Sequence, residues 1–424
     1  MKSPSKHDKP SRRTLGVRQI DLASVQTAST EIVRDINRDI ILELVRFKQP
    51  LARADLSRLS GLRRSTVSAI VEQLIQESWV IEGAVVKPAR GRPSTMLSVN
   101  DAVVTFALDL RPDRAILAVV DLSGRFLSRE TIATDPDPKK TISLIGKRMC
   151  ALRKENPLKS FKGVGVSFPG RVHPTMQRIL LAANMNWHDF DLKKALEQVS
   201  KLQVEIDNDA NVCLISELWF GRLQGTKNVV LVAVAEGVGT AILTGGHMYS
   251  GYNGLAGEFG HVSVDPAGPL CQCGQRGCWE MAASSRAAIR TFNAVAKRRV
   301  KDIHELLQLG QEGDSNAAHA LTEQARALGR GMRLITATLS PELILVVGDI
   351  TTVWELCGPI VAQELANSML AGTPPLLRAT GDAELARLSG SAAMLMQRHA
   401  NYHHSTHETP GLTIKHRSTD IETI

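Results

Sequence analysis

Residues 257–280 read GEFGHVSVDPAGPLCQCGQRGCWE. Cys271, Cys273 and Cys278 fall in the pattern Cys-x-Cys-x4-Cys, with Gly274 and Gly277 relieving the loop between them, and His261 stands upstream of the first thiol. One imidazole and three thiolates at this spacing can converge on a single ion as the vertices of a tetrahedron, and sulfur with nitrogen is the donor set of zinc. Because protein fills every place, the expected Zn2+ is structural, one per chain, with no open position for catalysis. Unligated buried thiols and a redox cluster are the alternatives. Cys150, Cys213 and Cys357 stand in apolar stretches and are expected in the core. Six Cys in 424 residues do not make a disulfide framework, so a reducing, cytoplasmic setting is expected.

The same stretch carries carboxylates. Glu258 shortly precedes His261, and Glu280 closely follows Cys278. Upstream, Asn208 and Asp209 stand at the end of an expected strand at 204–207. Each hydroxyl of a sugar both donates and accepts a hydrogen bond, and Asp, Asn, Glu and His around tight glycine turns meet both needs. Gly237, Gly239, Gly245, Gly246, Gly251, Gly254 and Gly257 supply such turns and border a candidate ligand cleft. Asn208, Asp209, Glu258, His261 and Glu280 are therefore the candidate sugar-binding residues, with an ordinary polar surface as the alternative.

Further out, short apolar runs alternate with amphipathic helices. Residues 106–110, 115–120, 163–167, 204–207, 229–235 and 343–347 read as strands, and 141–154 as a helix. This is an α/β pattern in two lobes. A length of 424 residues predicts two or three domains. A composition of 43% hydrophobic and 22% charged residues excludes a disordered chain. The longest strongly apolar run, 229–235, is too short to span a bilayer. The basic start, Met1 to Arg13, has no apolar segment after it and does not read as a secretory signal.

The net charge of +8 is unevenly placed: residues 1–100 hold 17 basic and 10 acidic residues, the remainder 34 and 33. A positive excess confined to the first quarter of the chain is a footprint for a polyanion. There, from Asn37, Ile40, Ile41, Leu44 and Val45 form one helical stripe that stops at Gln49-Pro50. A second helix fits 52–59 with Leu56 and Leu59 inward, Ser60-Gly61-Leu62 makes a turn, and a third helix buries Val67, Ile70, Val71, Leu74 and Ile75. This is the sequence form of a helix-turn-helix. Arg63, Arg64, Ser65, Thr66 and Ser68 at the start of the third helix offer guanidinium forks and short hydroxyls to phosphates and base edges. Residues 79–81 and 96–99 read as a hairpin whose tip, KPARGRP at 87–93, sets Arg90, Gly91 and Arg92 as a wing for a minor groove. Double-stranded DNA is the partner expected; a small helical interaction domain with an incidental basic loop is the alternative.

Four motifs stand together: Ser-Phe-Pro-Gly (167–170), Asp-Asn-Asp-Ala-Asn (207–211), Gly-Glu-Phe-Gly-His (257–261) and Cys-Gln-Cys-Gly-Gln-Arg-Gly-Cys-Trp-Glu (271–280). With the winged helix-turn-helix ahead of them, they resemble the ROK family of repressors and sugar kinases, in particular its repressor branch. The resemblance implies an α/β fold: a winged helix-turn-helix, then a two-lobed sugar kinase/actin-like ATPase domain that binds sugar between its lobes. It places Asn208, Asp209, Glu258, His261 and Glu280 on sugar contacts, with Asp209 at the kinases' general-base position. It places His261, Cys271, Cys273 and Cys278 on zinc, so that His261 would serve both. The division expected is a flexible lead-in (1–30), the DNA-binding domain (31–100) and a first lobe (103–223). A second lobe follows (224–398), with the zinc site and a C-terminal helix returning to the first lobe, and then a polar tail (399–424).

Where the kinases carry Asp-x-Gly-Gly-Thr, this chain has Asp109-Leu110-Arg111-Pro112-Asp113. The second phosphate loop reads Ala235-Glu236-Gly237-Val238-Gly239-Thr240-Ala241, and a third glycine run reads Val347-Gly348-Asp349. Arg, Pro and acidic residues in these places remove close backbone approach to a triphosphate or repel it. The implied protein is no enzyme but a sugar-responsive repressor of carbohydrate genes, similar to those answering to N-acetylglucosamine, glucose or xylose. It would be released from operator DNA by a sugar or sugar-phosphate, and would work as a homodimer or homotetramer off the membrane. A sugar kinase with an appended DNA-binding domain, and a regulator controlled by another protein, are the alternatives.

Overall fold

Three helices open the described chain: α1 (Thr30–Lys48), α2 (Arg53–Ser60) and α3 (Arg64–Gln76). Gly61 closes α2 at φ 73°, a left-handed turn that glycine adopts without a Cβ penalty, and reverses the chain into α3. Ser57 and Ser60 brace the turn, their hydroxyls bonding the backbone of Leu62. Leu56, Val67, Val71 and Leu74 are fully buried between the helices. The buried Arg38 guanidinium of α1 pairs with Glu77 just past α3. A three-stranded sheet of β1 (Leu51–Ala52), β2 (Val80–Val86) and β3 (Ser94–Val99), in the order β1-β3-β2, covers this core.

The structure, a computed structural model, describes residues 30–86, 93–182, 185, 187, 190–221, 223, 225–367 and 372–399. Most of the lead-in, the wing tip with Arg90, Gly91 and Arg92, and nearly all of the polar tail lie outside the described residues.

The first large sheet has the order β10-β7-β4-β5-β6. Its strands are β4 (Val103–Leu110), β5 (Arg114–Asp121), β6 (Phe126–Ala133), β7 (Ser160–Phe168) and β10 (Val204–Asn208), with a small hairpin of β8 (Arg171–Val172) and β9 (Ile179–Leu181) beside it. β4 is buried from end to end, as a central strand covered on both faces must be. One face packs on α4 (Pro138–Glu155) and α5 (Leu192–Ser200). The other packs on α6 (Asp209–Phe220) and on α12 (Ala383–His399), the last helix of the described chain. Gly165 lets α12 lie against β7, since a Cβ there would sit 1.8 Å from the Ser391 carbonyl oxygen.

The second sheet, β13-β12-β11-β14-β15, is built from β11 (Val229–Val234), β12 (Val238–Thr244), β13 (His247–Met248), β14 (Leu343–Gly348) and β15 (Leu376–Ala379). It carries α7 (Glu280–Ala283), α8 (Ser285–Val295), α9 (Ile303–Gln311), α10 (Ser315–Leu339) and α11 (Trp354–Ala366). Residues of α6 belong to both cores. Val212, Ile215 and Trp219 pack with the first sheet, Ala210, Cys213 and Leu214 with the second.

Four expectations need correction. The first helix starts at Thr30, upstream of the change of pattern at Asn37. Leu59 is 38% exposed, lying at the edge of its stripe rather than inward, and Ile40 at 41% exposed marks the edge of the first helix's stripe. Cys150 is exposed, whereas Cys213 and Cys357 are buried as expected. The two-residue strand β1 was not foreseen, being too short to leave a periodicity. Among the described residues no helix is long and apolar enough to cross a membrane.

Candidate functional site

The candidate metal-ligating group is assembled by two turns. Gly257, at φ 92°, starts the 3-10 turn Glu258–His261; a Cβ there would lie 2.6 Å from the Thr240 carbonyl oxygen, so the turn is held against β12. Gly277, at φ 62°, would place a Cβ 1.5 Å from the Asp265 carbonyl oxygen, a contact only glycine avoids. Trp279 then anchors the loop: it is fully buried, donates from Nε1 to the Ala327 carbonyl at 2.8 Å, and lies over Gly331 of α10.

The ligand atoms of His261, Cys271, Cys273 and Cys278 all lie within 4.8 Å of one another. His261 Nδ1 is 3.5 Å from Cys271 Sγ, and Cys273 Sγ is 3.5 Å from Cys278 Sγ. A tetrahedral zinc with metal–sulfur bonds of about 2.3 Å sets its ligand atoms roughly 3.5–3.8 Å apart, so the donor set and spacing fit. The Cys271 thiol donates to Glu280 Oε1 at 2.9 Å, and the same oxygen is 3.5 Å from His261 Nδ1. Burial, with Glu280 adding to it, pushes the Cys271 thiol well up from its ordinary range. Thiols and a carboxylate crowded in this way are electrostatically unfavourable as anions until a cation joins them. Glu280 therefore stands at the cluster, and its second oxygen faces Gly237, where a Cβ would come within 2.7 Å of it.

The other candidate residues meet at the joint between β10 and α6. Asn208 caps α6: its Oδ1 accepts from Ala210 N and its Nδ2 donates to the Gly170 carbonyl, both at 2.9 Å. Asp209 Oδ2 accepts from Arg111 Nη1 at 3.0 Å. Arg111 in turn lies 3.3 Å from the fully buried Asp109, which also accepts from Arg387 Nε of α12 at 2.8 Å. Burial alone would lower the Arg111 pKa, but Asp109 and Asp209 overcome it and hold the guanidinium above its ordinary value. Glu258 is held above the ordinary carboxylate range by burial, opposed by His261 and Arg171. A cavity of about 20 Å³, the space of one water, is lined by Arg171, Asn208, Asn211, Thr240, Ser250 and Glu258. It brings Asn208 and Glu258 together; Asp209, His261 and Glu280 stand outside its lining.

The sequence reading missed Arg111 as the partner of Asp209, seeing only a lost glycine, and it missed Arg171 and Asn211. An Arg where a phosphate loop needs glycine was the available signal. Arg171 and Asn211 lie in or beside the recognised motifs, but their direction is set by the β8 turn and the first turn of α6.

Asp207, half-buried near the end of β10, accepts from Asn208 N at 2.7 Å and Asn211 Nδ2 at 2.9 Å, and loss of solvent around it pushes its pKa up to about 6. The folded state thus holds a proton that the unfolded chain releases near 3.8. The stability from neutral Asp207 is present below that value and lost as pH rises through about 6. Asp207→Asn, neutral at every pH, is expected to raise the melting temperature by a few degrees at pH 7.5 and by almost nothing at pH 4. Melting curves at both pH values check it, and an equal shift at both would remove Asp207 as the cause.

At the amino-terminal domain, Arg63 precedes α3 as its cap, and Arg64, Ser65, Thr66 and Ser68 occupy its first turns. All are exposed except the half-buried Thr66. The structure thus leaves free the helix start on which base and phosphate contacts were expected.

Fold and site together define a two-lobed sugar kinase/actin-like domain carrying a helix-turn-helix head. A match to the ROK family covers residues 105–397, and the chain belongs to that family. The xylose repressor of Bacillus subtilis (strain 168) is 29% identical over 322 residues, which are 75% of this chain and 83% of that protein. A ROK family glucokinase from Streptomyces griseus, solved with glucose and AMPPNP, aligns with a TM-score of 0.62 at 27% identity over 69% of this chain and 99% of its own. A ROK family transcriptional regulator, described as a homologue of the E. coli Mlc protein, shares the fold with a TM-score of 0.73. It is 23% identical, and the alignment covers 87% of this chain and 99% of that one.

Proposed function

We propose that this chain is a DNA-binding transcriptional repressor of carbohydrate genes, relieved by a sugar or sugar-phosphate bound between the lobes. The observation that carries the reading is the Arg111–Asp209 ion pair: the carboxylate that would take a proton from a sugar hydroxyl is already engaged by an internal cation. The relatives named repressors support the same reading. The working division is a DNA-binding domain at 31–100, a first lobe at 103–223 and a second at 224–398.

In this proposal Asn208, Asp209, Glu258, His261 and Glu280 serve the sugar, and His261, Cys271, Cys273 and Cys278 hold a structural Zn2+. The ion would supply a fixed charge that sets the position of the His261 ring and of the turn carrying Glu258. Operator DNA is met by Arg63, Arg64, Ser65, Thr66 and Ser68 and by the wing residues Arg90, Gly91 and Arg92. Two heads meet paired half-sites, so the chain works as a homodimer or homotetramer in the cytoplasm. The cavity at the β10–α6 joint, between Asn208 and Glu258, has room for one water.

The test is fluorescence anisotropy on DNA from upstream of the chain's own gene at fixed salt, with and without D-xylose or D-glucose. Tight binding that one sugar weakens is the expected result; absence of specific binding would overturn the reading. Replacing both Arg90 and Arg92 by Ala is expected to make the slope of log affinity against log salt shallower by about 2, one phosphate contact for each. An unchanged slope would take the wing out of the interface.

A second reading, a sugar kinase with an appended head, is favoured by Asp209 at the start of α6 and by the likeness to the glucokinase. Sugar-dependent ADP production lost in Asp209→Asn would establish it.

A further inference from the structure

We propose that Arg46, outside both the cleft and the recognition helix, is the positioning residue through which the cleft sets the orientation of the DNA-binding head. The inference rests on the sugar-responsive repressor reading. Arg46 lies in the last turn of α1 and its side chain is 6% exposed. Its Nη2 donates to the Trp219 carbonyl oxygen at 2.9 Å and to Glu43 at 3.0 Å. The guanidinium carbon sits 4.3 Å from the centroids of both the Phe47 and Trp219 rings and 5.3 Å from that of Phe220. A planar cation held between rings on two elements joins them more specifically than apolar contact does.

The far side of this joint is the end of α6. The last carbonyls of a helix have no intrahelical donor and carry partial negative charge, so a guanidinium on Trp219 both caps and neutralises them. The other end of α6 is the cleft: Asn208 caps it, and Asp209, paired with Arg111, begins it. Between the two ends run 12 residues, about 18 Å of helix. They are wedged between the two sheets, Val212 and Ile215 against one and Cys213 and Leu214 against the other. A change in lobe separation therefore moves α6 as a body. Trp219 and Phe220 move with it, and Arg46 carries that movement to α1. Inside the head the buried Arg38 passes it from α1 to the end of α3 through Glu77.

The test is a double-mutant cycle read on DNA affinity. Asp209→Asn breaks the pair at the cleft end of α6 and is expected to change the affinity about 5-fold or more when Arg46 is present. In the Arg46→Met background the same change is expected to shift affinity less than 2-fold. Arg46→Lys, which keeps the charge but loses the flat stacking surface, is expected to fall between. If Arg46→Met does not fold, Arg46→Lys and Trp219→Phe carry the cycle. An equal Asp209→Asn shift in all backgrounds, or no shift with Arg46 present, overturns the proposal. D-xylose and D-glucose added to the unsubstituted protein test the repressor reading separately. Their failure to alter DNA binding would count against that reading, while the cycle still decides the role of Arg46.

Discussion

Cys273→Ser is expected to abolish metal binding and to destabilise the second lobe by at least about 3 kcal/mol, a fall of roughly 6–12 °C in Tm for a unit of this size. Cys273 is the exposed member of the cluster, so its loss leaves no core cavity, and the predicted effect comes from the ion. Without the ion, the turn forced by Gly277 and the crowded thiols beside Glu280 must hold themselves together. Trp279 follows the last ligand directly and fills the space over Gly331, so loosening the loop also loosens the packing on α10. Chelation of the unsubstituted protein is expected to give the same loss, reversible on adding Zn2+. Elemental analysis and melting curves check both. Full metal content in Cys273→Ser, or a chelator-treated protein that melts unchanged, would overturn the zinc assignment.

Replacing Arg63 and Arg64 together by Ala is expected to weaken operator binding about 100-fold while Tm shifts by no more than a degree or two. Both side chains are exposed, and neither belongs to the core of Val67, Ile70, Val71 and Leu74 that fixes α3. Each guanidinium can meet a phosphate or a guanine edge, and a good bidentate contact is worth roughly 1–3 kcal/mol. Anisotropy at two salt concentrations separates the two roles. Equal weakening on operator and unrelated DNA marks phosphate contacts, and a larger loss on operator marks base contacts. Unchanged affinity would move the interface off α3.

Much of the fold was legible because its signals are local. The 3.6-residue spacing of Val67, Ile70, Val71 and Leu74 announces a buried helix face, and Gly61 announces the turn before it. β4 reads as a largely apolar run, broken only by Thr105 and Asp109, because it is covered on both faces. The candidate metal-ligating group was legible for the same reason: three thiols so close in sequence cannot be far apart in space. The exposure of Ile40 and Leu59 was not legible, since a stripe's edges depend on what packs beside the helix.

The sequence by itself determined the candidate metal-ligating set, the two-lobed α/β architecture and the helix-turn-helix, because each rests on side-chain chemistry or periodicity within a few tens of residues. Only the tertiary structure decided what Asp209 faces, since Arg111 and Asp209 are separated by most of the first lobe and meet only when β4 and α6 pack together. The same holds for Arg46 and Trp219, which lie in different parts of the fold until α1 docks on the end of α6. Pairings at such separation leave no periodic trace, because they depend on how whole elements pack and not on the spacing within any one of them.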